Sequence, residues 1–429
     1  MGHPPRVASV LDAEGMPMTL DVIKKDRERI FSFLMATVSV LLGIYVFLIP
    51  IPHATTIKEI CYYLAAVLVL VLVYFRIIFF RQHTPLAVPL IIFLSWCVFG
   101  IFFAINGENS LHDLYTHFLK YIFLYFMLVI FFSSTRKLSI LSRVIVVSSA
   151  ILFFGCLYYY YVVLGRPLTE RYGLGFRELP TNQAGILALF AVSLGVLNIS
   201  QAKKWGGKIF FSCCILPAFA IILLAQTRSV LLALLVSLVV VFSSKKKILL
   251  GILLLLGLVV AVSPVTERFK TNLSGIHRVK MGLITWEVVK DYPLTGIGFG
   301  MRTFGDNLDL QSYNAKLPEK FQGQEIVPDP HNMYTDIAVR TGIPGLIFFC
   351  WFIFTFFRMV WAVGQDSASD GIAPWSVAVF ASGLSFFIIG FFEPVFSHYA
   401  ESVLCVILAM GTILWRLHED RKALGCHRL

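Results

Sequence analysis

The sequence predicts an all-α polytopic membrane protein of about twelve transmembrane helices, with a large, partly helical loop before the tenth span. Three observations carry this. Hydrophobic residues make up 58% of the 429 positions and charged residues only 14%, where a soluble domain has about 25% charged. The mean hydropathy is +0.79. The apolar runs are long and unalternating, as helices require; a membrane barrel would show short segments of period two.

The chain opens with a polar segment, 1–29, ending in the charged run Lys24 to Arg29, expected to be disordered or interfacial. Apolar runs follow near 31–51, 60–80, 85–105, 116–133, 139–164 and 182–200, each close to the ~20 residues a bilayer needs. Arg76, Arg81, Arg136, Lys137, Lys203 and Lys204 fall at every second junction. Basic loops stay in the cytoplasm, so the N-terminus is expected there.

The run from Ile209 to Phe242 reads as two short spans rather than one long helix. Lys203 and Lys204 before it and Lys245 to Lys247 after it both favour the cytoplasm, so the chain crosses an even number of times. The turn then falls at Gln226, Thr227, Arg228 and Ser229, on the outer face. A further crossing at 248–262 exports the polar interval 264–342 to the same side, so Arg228 shares its compartment. Spans near 345–363, 373–392 and 401–415 finish the bundle, with 393–399 outside. The resulting division is a cytoplasmic tail 1–29, spans one to nine in 30–262, an outer loop region 263–343, spans ten to twelve in 344–415, and a basic cytoplasmic tail 416–429.

The same totals exclude several classes. A net charge of +11 here sets topology from short loops rather than implying nucleic acid. Seven of the eight cysteines lie in apolar runs and no CxxC occurs, which argues against a disulfide framework or a zinc site. The first 30 residues are polar and no cleavable signal is evident.

Candidate residues gather in the outer segments. Arg228, between two apolar helices, reads either as a clamp for phosphate or pyrophosphate, whose oxygens its planar fork matches, or as a guanidinium snorkelling to headgroups. Arg278 leads an amphipathic segment whose apolar positions are Val279, Leu283, Trp286 and Val289, with Lys280 and Lys290 on the polar side. It stops at Pro293 and Gly296, and Gly296, Gly298 and Gly300 mark a turn needing positive φ. His331 follows Asp329 as an N-cap and Pro330 at the first helical position, with Gly342 and Pro344 as the stop. In that first turn the positive helix end would disfavour imidazolium and leave a neutral ring, competent as a general base; a purely local hydrogen-bonding role is the alternative. Glu393 either orients a basic residue or is a solvated loop acid. Arg171, Arg177 and Asn182 add polarity in another outer loop, and Lys120, just inside the fourth span, either snorkels or reaches the site.

Arg278 through Gly300, then Pro330 to Tyr334 and Arg340 to Leu346, resembles the bacterial O-antigen ligase and polymerase superfamily. So do the turn at Thr227, Arg228 and Ser229 and the loop from Arg171 to Asn182. The resemblance implies a glycosyltransferase of the bacterial inner membrane, with its active site on the periplasmic face and both termini cytoplasmic. The donor would be O-antigen on undecaprenyl pyrophosphate and the acceptor a sugar hydroxyl of lipid A–core, with no cofactor, metal or ATP. Carried over, Arg228 and Arg278 hold the pyrophosphate and His331 activates the acceptor hydroxyl, giving inversion; Tyr334 belongs to the same element as His331.

Within that superfamily a ligase is expected rather than a polymerase, because one large outer loop dominates and the second, 165–181, is short. A polytopic lipid or polysaccharide transporter would place ionisable residues in broken helices at mid-membrane depth. The spans read as free of acids, which disfavours it.

Overall fold

In lipid the backbone has only itself as hydrogen-bond partner, and a long apolar run satisfies that need locally by forming a helix. The computed structural model describes residues 20–51, 54–78, 84–168, 170–172, 181–243, 245–262, 273–323, 325–366, 371–394 and 397–426, and no strand occurs among them. The helices are α1 (Leu20–Leu48), α2 (Thr55–Tyr74), α3 (Ala87–Ile101), α4 (Gly107–Phe131), α5 (Thr135–Val163), α6 (Thr181–Gln201), α7 (Trp205–Leu224), α8 (Arg228–Phe242) and α9 (Lys246–Val262). Beyond them lie α10 (Leu273–Asp291), the short α11 (Thr303–Asp306), α12 (Leu310–Ala315) and α13 (Glu319–Gln322), then α14 (Met333–Gln365), α15 (Ala373–Ile389) and α16 (His398–Cys426). Among the described residues, eight helices are long and apolar enough to cross a membrane. The shorter α3, α8, α9 and α15 occupy the remaining apolar runs.

Helix α6 is apolar and buried around its circumference, which places it inside the bundle. Small residues let its neighbours approach, as membrane helices require. A Cβ on Gly185 would meet Val230 of α8 at 2.3 Å, and one on Gly195 would meet Ile215 of α7 at 2.1 Å. Helix α2 shows the opposite pattern: Leu64, Val67 and Leu70 are exposed, as on a lipid-facing surface.

Over one end of the bundle a second, smaller core forms. It joins Met281, Ile284 and Val288 of α10 to Phe304, Leu310 and Tyr313 of the short helices, to Leu317 between α12 and α13, and to Val339 of α14. Helix α10 buries Met281, Ile284, Thr285, Val288 and Val289, with Leu283 partly buried against them and Lys280 fully buried beside them. Of the expected apolar positions Leu283 and Val289 pack on this core, whereas Val279 and Trp286 are exposed and Lys280, expected on the polar side, is buried. Spacing alone admits two adjacent faces, and the short helices choose between them by covering one.

Two more expectations change. Helix α1 starts at Leu20 and α16 runs to Cys426, so the described parts of both supposed tails are helical. Charged, straight-chain residues propagate a helix at little cost once a span has nucleated it. Nor are the spans free of acids: Glu401 of α16 is 5% exposed and lies beside His117. Asp336, fully buried beside Arg340, belongs to the part of α14 that precedes Gly342.

Candidate functional site

The long run from 205 to 242 breaks where the sequence placed its turn. Gln226 adopts φ 48°, Thr227 is extended, and Arg228 is the first residue of α8, half-buried. Arg171 fixes this turn from the side: its Nε donates to the Ala225 carbonyl at 2.8 Å and an Nη to Thr181 at 3.2 Å. Thr181 begins α6, and Gly185, one turn on, is the residue that packs on Val230. Arg228 therefore stands at the level of the first turn of α6. Arg177 lies outside the described residues.

The first turn of α6 carries Asn182, whose Nδ2 donates to the Glu393 carboxylate. The same carboxylate lies 4.0 Å from an Nη of Arg278 on α10, and the guanidinium carbon sits 5.8 Å from the centre of the Phe392 ring. Glu393 is not a solvated loop acid: partial burial pushes its carboxyl up to about 7, against the opposing pull of Arg278 and Asn182. Arg278 itself is 44% exposed, so one side of its guanidinium is paired while the group remains accessible.

His331 does not lie in a helix. The Asp329 carboxylate accepts from the His331 backbone N–H at 2.9 Å, and this local turn holds His331 at φ 51°. Asn332 is the N-cap instead, accepting from Tyr334 and Thr335 N–H at 2.9 and 3.2 Å. Asp329 and Asn332 are both good caps, and the later one wins because its amide also donates to the Phe391 carbonyl at 3.0 Å. The Met333 N–H adds a bond to the Gly390 carbonyl at 2.7 Å. Two bonds thus join the His331 segment to the loop that carries Glu393. The Tyr334 hydroxyl donates to the Phe387 carbonyl at 3.1 Å and its ring lies tilted against Phe391, with centroids 4.3 Å apart.

The glycine turn supports this arrangement. Gly342 has φ 71° and interrupts α14 one residue before the membrane portion resumes. A Cβ there would lie 1.9 Å from the Leu294 carbonyl oxygen, so only glycine fits. Ile297 and Gly298 N–H donate to the Val339 and Arg340 carbonyls, the acceptors a broken helix leaves open. Arg340 pairs with Asp336 at 2.6 Å and donates to the Phe299 carbonyl at 3.2 Å.

Arg171, Asn182, Arg278, Glu393 and the His331 segment are therefore linked at one end of the bundle, with the Arg228 turn tied to them through Arg171. Lys120 is not part of this cluster. Its ammonium pairs with Glu59 at 2.5 Å, because burial within the bundle favours the nearest carboxylate over a distant site. Of the two sequence readings of Glu393, orienting a basic residue fits its place beside Arg278; nothing in the spacing marked Lys280 as a buried cation. Two buried polar atoms at the cluster, Asn182 Oδ1 and Ser229 Oγ, have no hydrogen-bond partner among the described residues. A site with two accessible guanidiniums, one tuned carboxyl and one imidazole suits an anionic ligand and a proton transfer.

Compared with known proteins, residues 213–350 match the family model described as O-Antigen ligase. No curated protein matches the chain.

Proposed function

We propose, for a membrane protein whose residues 213–350 match the O-antigen ligase family model, that it transfers O-antigen polysaccharide from undecaprenyl pyrophosphate to a sugar hydroxyl of lipid A–core. The observation that carries this is the linkage of Arg278, Glu393 and the His331 segment across three elements distant in sequence. In the proposed reaction His331 takes the proton of the acceptor hydroxyl. The acceptor oxygen bonds to the anomeric carbon as the bond to the pyrophosphate oxygen breaks, and the electron pair leaves with the lipid pyrophosphate. Arg228 and Arg278 stabilise that developing charge, the effect that most lowers such barriers. One displacement inverts the anomeric centre, and the activated donor supplies the driving force. The site would face the periplasm of the bacterial inner membrane.

The test is transfer by purified protein given lipid-linked O-antigen and lipid A–core, without ATP. Polysaccharide on the core, lost in His331→Ala, supports the ligase reading and its base. Chain growth with lipid-linked repeats alone, and none on the core, would make the protein a polymerase.

A further inference from the structure

An apolar crevice lies apart from the arginines, between α3, α4, α14 and α16. Its walls include Leu90 of α3, Phe118 and Ile122 of α4, Phe352 of α14, and Leu404 and Leu408 of α16. It follows α4 from His117 to Tyr125 and α16 from Glu401 to Leu408, about two turns or roughly 12 Å at 1.5 Å per residue. An elongated apolar slot parallel to the helix axes has the shape of a hydrocarbon chain.

The crevice is polar at one end. His117 Nδ1 lies 3.0 Å from the Glu401 carboxylate, with the two side chains 12% and 5% exposed. His117 is presented by a π-helical turn, Leu114–Leu119, inside α4, a feature that costs regular hydrogen bonding and often marks functional positions. The register fixes which end this is. Glu401 meets His117, Cys405 donates to the Tyr121 carbonyl, and Thr412 bonds Tyr125, so α4 and α16 run in the same direction. Glu401 is one turn from Ser397, which accepts from Gln183, next to Asn182. The polar pair is thus at the same end of the bundle as the Arg278–Glu393 cluster. Met333, two residues after His331, lines the crevice.

We propose that this crevice holds an acyl chain of the glycolipid acceptor, an inference that rests on the transfer reaction proposed above. The assignment follows from sides. The arginines suited to pyrophosphate belong to α8 and α10, and Asn182 and Arg171 extend that side. The crevice belongs to α3, α4, α14 and α16. The His331 segment, continuous with Met333, stands between them. A donor headgroup on the arginines and an acceptor chain in the crevice bring the two lipids to the His331 segment from different elements, so that they do not compete for one site. The His117–Glu401 pair then meets the polar head of the acceptor where its chain enters.

Native mass spectrometry of the purified full-length protein tests this with intact lipid A–core, its fully deacylated form, and undecaprenyl-pyrophosphate-linked O-antigen. The wild type should bind the acylated acceptor at least about tenfold more tightly than the deacylated one, given the apolar area a chain buries. Leu404→Trp and Leu408→Trp, which fill the slot, should abolish that difference and leave donor binding unchanged; Leu404→Ala should retain it. Unchanged acyl-dependent binding in both tryptophan variants overturns the assignment. Loss of donor binding with acceptor binding intact also overturns it, by placing the isoprenoid chain there. Acyl-dependent binding blocked by Leu404→Trp in a protein that transfers nothing to lipid A–core would sustain the crevice and reject the ligase reading.

Discussion

The Glu393 carboxylate stands 4.0 Å from the Arg278 guanidinium while accepting a hydrogen bond from Asn182, and burial holds its carboxyl at about 7. Below that value the acid is neutral and leaves the Arg278 charge to a bound anion. Above it the carboxylate competes with the anion. Donor KM should therefore rise as pH increases through about 7 in the wild type and stay flat in Glu393→Gln; equal profiles would remove Glu393 from the donor site. Stability follows the same sign. The folded value lies above the ordinary 4.5, so the folded state binds more protons between the two and loses stability from this group as pH rises through that window. Thermal melts of Glu393→Gln should show a shallower decline there.

Arg278→Lys keeps the charge and removes the planar fork. If that fork holds pyrophosphate oxygens, donor KM should rise about tenfold or more with acceptor KM unchanged. Steady-state kinetics with each substrate varied would show it, and an unchanged donor KM would reject the clamp.

At position 331 the left-handed backbone matters to the choice of variant. Alanine there is strained by about 1–2 kcal/mol, whereas asparagine tolerates positive φ. His331→Asn should leave the melting temperature near wild type and lower transfer by about 100-fold or more, the usual contribution of a general base. Retained transfer in a well-folded His331→Asn would show that the imidazole is not the base.

Arg340 and Asp336 are 6% and 0% exposed and pair at 2.6 Å. Removing Arg340 strands a buried carboxylate, so Arg340→Ala should destabilise by about 3–5 kcal/mol. The double variant Arg340→Met with Asp336→Leu should recover most of this. Unfolding in detergent measures both, and a double variant no better than the single would mean that the Arg340 bonds to the 299 and 301 carbonyls carry the effect.

What was legible in the sequence was local. Apolar length gave the helices, charge parity gave the break at Gln226–Ser229, and glycine spacing gave the turn that Gly296 and Gly298 make with positive φ. Gly296 is legible because the Val339 and Arg340 carbonyl oxygens approach within a Cβ radius, and Gly298 because its φ of 103° favours glycine. The partners of Arg278, Lys120 and Glu401 were not legible, since each joins elements remote along the chain and charge alone does not choose among carboxylates. The helix start at His331 was misplaced by three residues because Asp329 and Asn332 both fit the cap position. Only the contact with Phe391 decides between them.

The break at Gly342 has a consequence for how the protein is made. Its neighbours in space, Pro293 and Leu294, are synthesised about fifty residues earlier, and Glu393 some fifty later. The glycine turn must wait for Gly342, and the completed pair must wait again for the loop after α15. A nascent chain stalled before that loop has its arginines in place but cannot anchor the His331 segment. Assembly order thus withholds the complete cluster until nearly the whole chain is inserted.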